Sequence, residues 1–106
     1  MKQFRTLDLA VEFYKKTETL KLTGNLKDQL LRAASSIALN LSEGNAKQTQ
    51  REKKHFFYTA YASCQECKTI LKLTGLEKEL IADEADKLGA YLFKLLKSNI
   101  KTSKIS

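Results

Sequence analysis

Two cysteines three residues apart, Cys64-Gln65-Glu66-Cys67, and a single histidine, His55, are the side chains best suited to redox or metal chemistry in this 106-residue sequence. A C-x-x-C pair does redox work at a helix N-terminus, where the helix dipole lowers the thiol pKa. Here the pair falls well inside a helical pattern and points to its apolar side, so both cysteines read as small core residues. A zinc site needs more ligands, and at about 100° per residue His55 projects about 180° away from Cys64. The sequence has no Gly-rich phosphate loop, no Ser/His/Asp set and no facing Glu-x-x-His pair of a di-iron bundle. The expectation is a non-enzymatic chain with neither metal nor cofactor.

A second constellation is Asn40-x-x-Glu43-Gly44, placed where a helix should end. An anion in the last turn of a helix opposes the macrodipole by roughly 0.3 to 1 kcal/mol, so something should compensate it. In one reading Glu43 turns toward the start of the next helix, where backbone NH groups and Lys47 or Arg51 receive it. In the other, Asn40 and Glu43 contact a ligand or partner at one end of the molecule.

Charge points more directly at a partner, because 19 basic residues against 12 acidic ones give a net charge of +7. From Lys87 onward there are five lysines and no acid, whereas 77–86 is net negative. That arrangement complements the dipole of a helix running through both and needs no ligand. A more suggestive pattern spans residues 54–72. With Phe56 set at 0°, Lys54, Tyr58, Tyr61, Gln65, Lys68 and Lys72 project between about 120° and 200°, opposite the apolar side. A stripe of lysines and tyrosines can neutralise phosphates and stack bases. It could equally be a subunit interface anchored by Tyr58 and Tyr61, or a solvated face. The functions this leaves open are a nucleic-acid-binding accessory protein, preferring RNA by shape and charge, and an oligomeric scaffold that docks a protein partner.

The elements that must position these residues follow from glycine punctuation and periodicity. There is no proline, and Gly24, Gly44 and Gly75 fall where helical segments should stop. Phe4, Leu7, Val11 and Tyr14, widened by Leu9, Ala10 and Phe13, predict a helix over 4–22. Asn25 as N-cap and the stripe Leu26, Leu30, Ala33, Ala34, Ile37 and Leu41 predict a second over 26–43. Thr49-Gln50-Arg51-Glu52 has the form of a capping box and opens a third over 49–74, with Phe56, Ala60, Ser63, Cys67 and Ile70 as its main row and Phe57, Cys64 and Leu71 beside it. Ile81, Ala85, Leu88, Leu92 and Leu95, flanked by Phe93, Leu96 and Ile100, predict a fourth over 78–101 that frays into a polar tail. Gly89 inside it marks a close helix contact. Small residues at Ala33, Ala34, Ser35, Ser36, Ala60, Ala62 and Ser63 bring the second and third helices close together.

Four helices of similar length, each with one apolar side and short connections, predict an all-α, antiparallel up-down-up-down bundle forming one domain over 1–106. No apolar run is long enough for a membrane span, and 1–13 carries no secretory signal pattern, so a cytoplasmic location is expected.

The pattern Gln29-Leu30-x-Arg32-Ala33-Ala34-x-Ser36-Ile37-x-x-Asn40-Leu41-x-Glu43-Gly44, followed by Phe56 or Phe57 and then Ala60-x-x-Ser63-x-x-Glu66, resembles the bacterial four-helix-bundle family also called ribosomal S23-like or 23S rRNA intervening-sequence proteins. Leu31 and Ala62 stand where that family usually has an arginine and a glycine. The resemblance implies a homopentamer, with some members encoded inside rRNA genes. It also implies kinship with the accessory variability protein of diversity-generating retroelements, a basic pentamer that works with nucleic acid. Its motif residues here are Arg32, Ser36, Asn40, Glu43, Gly44, Ser63 and Glu66.

Overall fold

Four helices form, α1 (Arg5–Glu18), α2 (Gly24–Ala46), α3 (Gln50–Leu73) and α4 (Leu80–Ile105), in a computed structural model that describes residues 4–105, with side chains described for 4–98. Each helix packs on its neighbours in sequence, and α4 closes back onto α1. With short connections this is an antiparallel up-down-up-down four-helix bundle, 46 × 23 × 21 Å overall.

In α1 the buried line is Thr6, Ala10, Phe13 and Thr17, one position off the predicted row, and Val11 is 37% exposed. Fully buried Thr17 is tolerated because a buried hydroxyl needs only one good partner, and it donates to the Tyr14 carbonyl at 2.6 Å. The helix stops at Glu18 rather than 22. Its last carbonyls are taken by the ammonium group of Lys27, which donates to Thr17, Glu18 and Leu20.

Leu30, Ala33, Ala34, Ile37 and Leu41 of α2 are buried as their spacing predicts, and Leu26 is half-buried against them. Both ends of α2 differ from expectation. Thr23 rather than Asn25 occupies the N-cap position, without a capping hydrogen bond, and Gly24 opens α2 instead of closing α1. The helix also runs through Gly44 to Ala46. Gly44 is therefore no left-handed terminator. It is a buried residue against α3, where a Cβ would sit 2.7 Å from Cε1 of Phe57 and 3.0 Å from Cβ of Phe56.

Thr49 caps α3 as predicted, accepting the Glu52 backbone NH at 3.2 Å, while its hydroxyl donates to the Glu52 carboxylate at 2.9 Å. At the other end Gly75 has φ +79°, and the NH groups of Leu76 and Gly75 return to the carbonyls of Leu71 and Lys72. This Schellman closure is the turn that glycine was expected to supply. Within α3 the buried set is Phe57, Ala60, Cys64, Cys67, Ile70 and Leu71, whereas Phe56 and Ser63 are half-buried at the α2 seam. The core direction is thus centred about 50° from Phe56, not on it.

Ile81, Ala85, Leu88, Leu92 and Leu96 form the buried line of α4. Leu96 takes the place predicted for Leu95, which is half-buried, and Phe93 is 49% exposed. The helix begins at Leu80 and its backbone continues to Ile105 instead of fraying from Lys101, and the side chain of Ile100 lies outside the described residues. Among the described residues no helix is long and apolar enough to cross a membrane.

Candidate nucleic-acid interface

Cys64 and Cys67 are core residues of α3. Both thiols are buried, and Cys64 donates to the Ala85 carbonyl across the α3–α4 seam at 3.5 Å. Burial pushes the Cys64 thiol up to about 11, with nearby Lys68 opposing the shift and Asp86 adding to it. Cys67 is pushed up further, again chiefly by burial. Neither forms a thiolate near neutral pH, so neither is a nucleophile there. His55 packs edge-on against Phe56, with ring centroids 5.2 Å apart. Among the described residues no three His, Cys, Asp or Glu side chains lie close enough to hold a metal ion.

The motif residues divide into two groups. Ser36, Asn40 and Ser63 come together between α2 and α3. The Ser36 and Ser63 hydroxyls are 2.9 Å apart, and the Asn40 amide donates to the Ser36 carbonyl at 2.9 Å and to its hydroxyl at 3.1 Å. This network sits where Ala33, Ala34 and Ala60 let the two helices approach, so its groups exchange hydrogen bonds across a seam with little room for water. Asn40 is therefore tied into the helix packing. Ala62, expected at that seam, faces solvent, as do Arg32, Glu43 and Glu66.

Glu43 does not turn back to the start of α3. Among the described residues its carboxylate makes no hydrogen bond or ion pair, with Lys47 and Arg51 included in that statement. The cation at the C-terminus of α2 is Lys53, which donates to the carbonyls of Asn45 at 3.2 Å and Gly44 at 3.5 Å. Lys27 does the same for α1, so in both hairpins a lysine from the first turn of one helix caps the helix before it.

The predicted lysine–tyrosine stripe is divided by the shifted phase of α3. Tyr61 and Lys68 fall on the flank that meets α4. The Tyr61 ring lies 6.2 Å from that of Phe93, and the Lys68 ammonium pairs with Asp86 at 3.2 Å. Lys54, Tyr58, Gln65 and Lys72 do face outward, and Tyr58 is 62% exposed. Lys54 and Lys72 are about 27 Å apart along α3, however, at opposite ends of the rod.

Positive charge instead gathers at one end. There α1 begins, α2 ends, α3 begins and α4 runs out, which places Arg5, Lys47, Arg51, Lys54, Lys94 and Lys97 together against Asp8, Glu43 and Glu52. At the other end Lys15, Lys16, Lys21, Lys27, Lys72 and Lys78 are offset by Glu18, Asp28, Glu77, Glu79, Asp83 and Glu84. Aromatic rings accompany the basic end. The Lys47 ammonium lies 5.3 Å from the centre of Phe56, and that of Lys97 lies 5.4 Å from the centre of Phe93. The Arg5 guanidinium beside Tyr91 draws the phenol pKa below its ordinary value, by offering the phenolate a donor and by its charge. Arg5, Lys94, Lys97 and Phe93 were not among the sequence candidates. The available signal was the acid-free lysine run from Lys87 onward, which the dipole of α4 alone seemed to explain.

Bundle, seam network and charged end together define a basic antiparallel four-helix bundle. Residues 4–100 match the family model described as 23S rRNA-intervening sequence protein, and the chain belongs to that family. No curated protein and no solved structure matches it.

Proposed function

We propose that this chain is a non-enzymatic RNA-binding accessory protein that engages phosphates with its basic end. The observation that carries the reading is the collection of Arg5, Lys47, Arg51, Lys54, Lys94 and Lys97 at one end of a rod whose other end is nearly balanced. Cations concentrated in this way release counterions from a polyanion together, and the resulting affinity falls steeply with salt. The description of the family as 23S rRNA-intervening sequence protein favours RNA over other polyanions. Recognition would rest on shape and charge, since no base-reading motif is present.

The test is binding of a labelled, structured RNA across a salt series. The intact protein is compared with a Lys47→Gln, Arg51→Gln, Lys54→Gln variant and with a Lys72→Gln, Lys78→Gln control from the other end. Three lost phosphate contacts predict a log–log salt slope shallower by about 2 in the triple variant, from roughly 0.7 per contact on single strands. The control should match the intact protein. Equal slopes for all three proteins, or binding that vanishes above low salt, would defeat the proposal.

A second reading, a homo-oligomeric scaffold docking a protein partner, draws on a different observation. Leu39, Leu73 and Leu80 are 66%, 67% and 80% exposed and offer apolar side chains to a partner. Sedimentation of the intact protein against a Leu39→Ser variant would detect an interface that uses it.

A further inference from the structure

Among the aromatic side chains at the α3–α4 seam, Phe93 is the one whose exposure the core does not explain. Its ring is 49% exposed, while its neighbours along the same helix, Leu92 and Leu96, are buried. Tyr61 of α3 flanks it, with ring centroids 6.2 Å apart and planes inclined at 45°, so the two rings form a shelf across the seam. The Lys97 ammonium lies over the Phe93 ring, 5.4 Å from its centre. Lys97 is one helical turn further along α4. Lys54 lies on the Tyr61 side of α3, two turns and about 10 Å nearer the basic end. The shelf is therefore bordered toward that end by cations, and away from it by the closed Lys68–Asp86 pair.

We infer that the Phe93–Tyr61 shelf is a stacking site for an unpaired base of single-stranded RNA, with Lys97 and Lys54 taking phosphates of the strand where it continues toward the basic end. This inference rests on the reading of the basic end as the RNA-binding surface and adds which form of RNA that surface selects. The chemistry is specific to a base with a free π-face. A base laid on Phe93 covers apolar ring surface that water now covers, and it displaces the Lys97 ammonium from the ring to the adjoining phosphate, where a full negative charge receives it. Bases inside a duplex already stack on one another and offer the shelf only the sugar–phosphate edge. An acidic protein segment would satisfy the lysines and leave the ring face without a planar partner, so the combination favours RNA.

The experiment compares labelled single-stranded oligoadenylate RNA with a fully paired RNA duplex of the same length, using the intact protein, Phe93→Leu and Phe93→Tyr. Phe93→Leu should weaken single-strand binding about tenfold, the effect of one stacked base, and leave duplex binding and the salt slope unchanged. Phe93→Tyr should keep the intact affinity because it keeps the ring. With no tryptophan and four tyrosines in the chain, the part of the emission that Tyr61→Phe removes reports on the shelf. Oligoadenylate should quench that part in the intact protein and the duplex should not. Equal losses for both RNA forms, no loss for either, or a Phe93→Leu variant with a changed sedimentation mass would each overturn the stacking site. The last result would make Phe93 a contact between copies. Intact protein that binds neither RNA would overturn the reading of the basic end along with it.

Discussion

A Cβ on Gly44 would lie 2.7 Å from Cε1 of Phe57, closer than real side-chain contacts come, so the end of α2 and the beginning of α3 meet at a distance only glycine permits. Phe57 is a core residue at 3% exposure and touches Phe4 at the start of α1, with ring centroids 6.3 Å apart, so it has little freedom to yield. Gly89 in α4 provides the contrast. A Cβ there would meet Cys64 Sγ at 3.7 Å and Lys68 Nζ at 3.8 Å, which is ordinary contact. The expectation that Gly89 marks an unusually close approach is not what the seam shows.

The same substitution should therefore have opposite signs at the two sites. Gly44→Ala gains about 1 kcal/mol of helix propensity but forces overpacking that costs about 1 to 3 kcal/mol, a net loss near 1 kcal/mol. Gly89→Ala keeps the propensity gain without the clash. In thermal melts the first should fall by about 4 to 8 °C and the second should hold or rise. A Gly44→Ala protein as stable as the original would remove the steric argument.

The Ser36–Ser63 hydrogen bond should be measurable as a coupling. Ser36 already accepts from Asn40, so its own proton is free to go to Ser63, and the pair spans α2 and α3 at 2.9 Å. Ser63→Ala should cost about 1 kcal/mol in denaturant unfolding, and the cycle with Ser36→Ala should show about 0.5 to 1 kcal/mol of interaction. Strict additivity would mean that small side-chain volume, not the hydrogen bond, is what the seam requires.

The bundle was legible because its signals are local: Thr49 with Glu52 at one helix start, Gly75 at one helix end, and apolar residues every three or four positions between them. The phase of α3 was not, since adjacent Phe56 and Phe57 supply two rows of nearly equal quality and the choice is made across the seam by Gly44. That choice decided the candidate site as well. Turning the core direction from Phe56 toward Phe57 carries Tyr61 and Lys68 from the outward face to α4, where Phe93 and Asp86 meet them. The basic end is a product of assembly, because Arg5, Lys47 and Lys97 are far apart in sequence and meet only when the ends of all four helices do.

Lys27 and Lys53 should behave as structural cations, unlike the other lysines. Lys27 donates to three carbonyls at the end of α1, with two of those contacts at 3.0 and 3.1 Å, whereas the two contacts of Lys53 are 3.2 and 3.5 Å. Lys27→Met should lower stability by about 1 kcal/mol and Lys53→Met by less, with exposed Lys87→Met, inside α4 and away from any helix end, as the neutral reference. Because the Lys53 ammonium is already occupied, Lys53→Met should also leave the RNA salt slope alone. A slope that flattens as much as for Lys54→Gln would show the ammonium leaving its carbonyls for phosphate.

The buried Cys64 thiol should contribute to loss of stability at alkaline pH. In the folded chain Cys64 holds its proton to about pH 11, against 9.0 for the unperturbed thiol, chiefly because burial disfavours the thiolate. Between those values the folded state binds more protons than the unfolded state, so stability declines as pH rises. The contribution is complete below pH 9 and is lost as pH approaches 11, with a slope of up to about 1.4 kcal/mol per pH unit for one group. Lysine titration overlaps this range, so the informative quantity is the difference from Cys64→Ala, which keeps the lysines and removes the thiol. Denaturant unfolding at several pH values from 8 to 11 should show the intact protein losing stability more steeply than the variant. Parallel profiles would mean that Cys64 ionises as readily in the fold as outside it, through water reaching the α3–α4 seam.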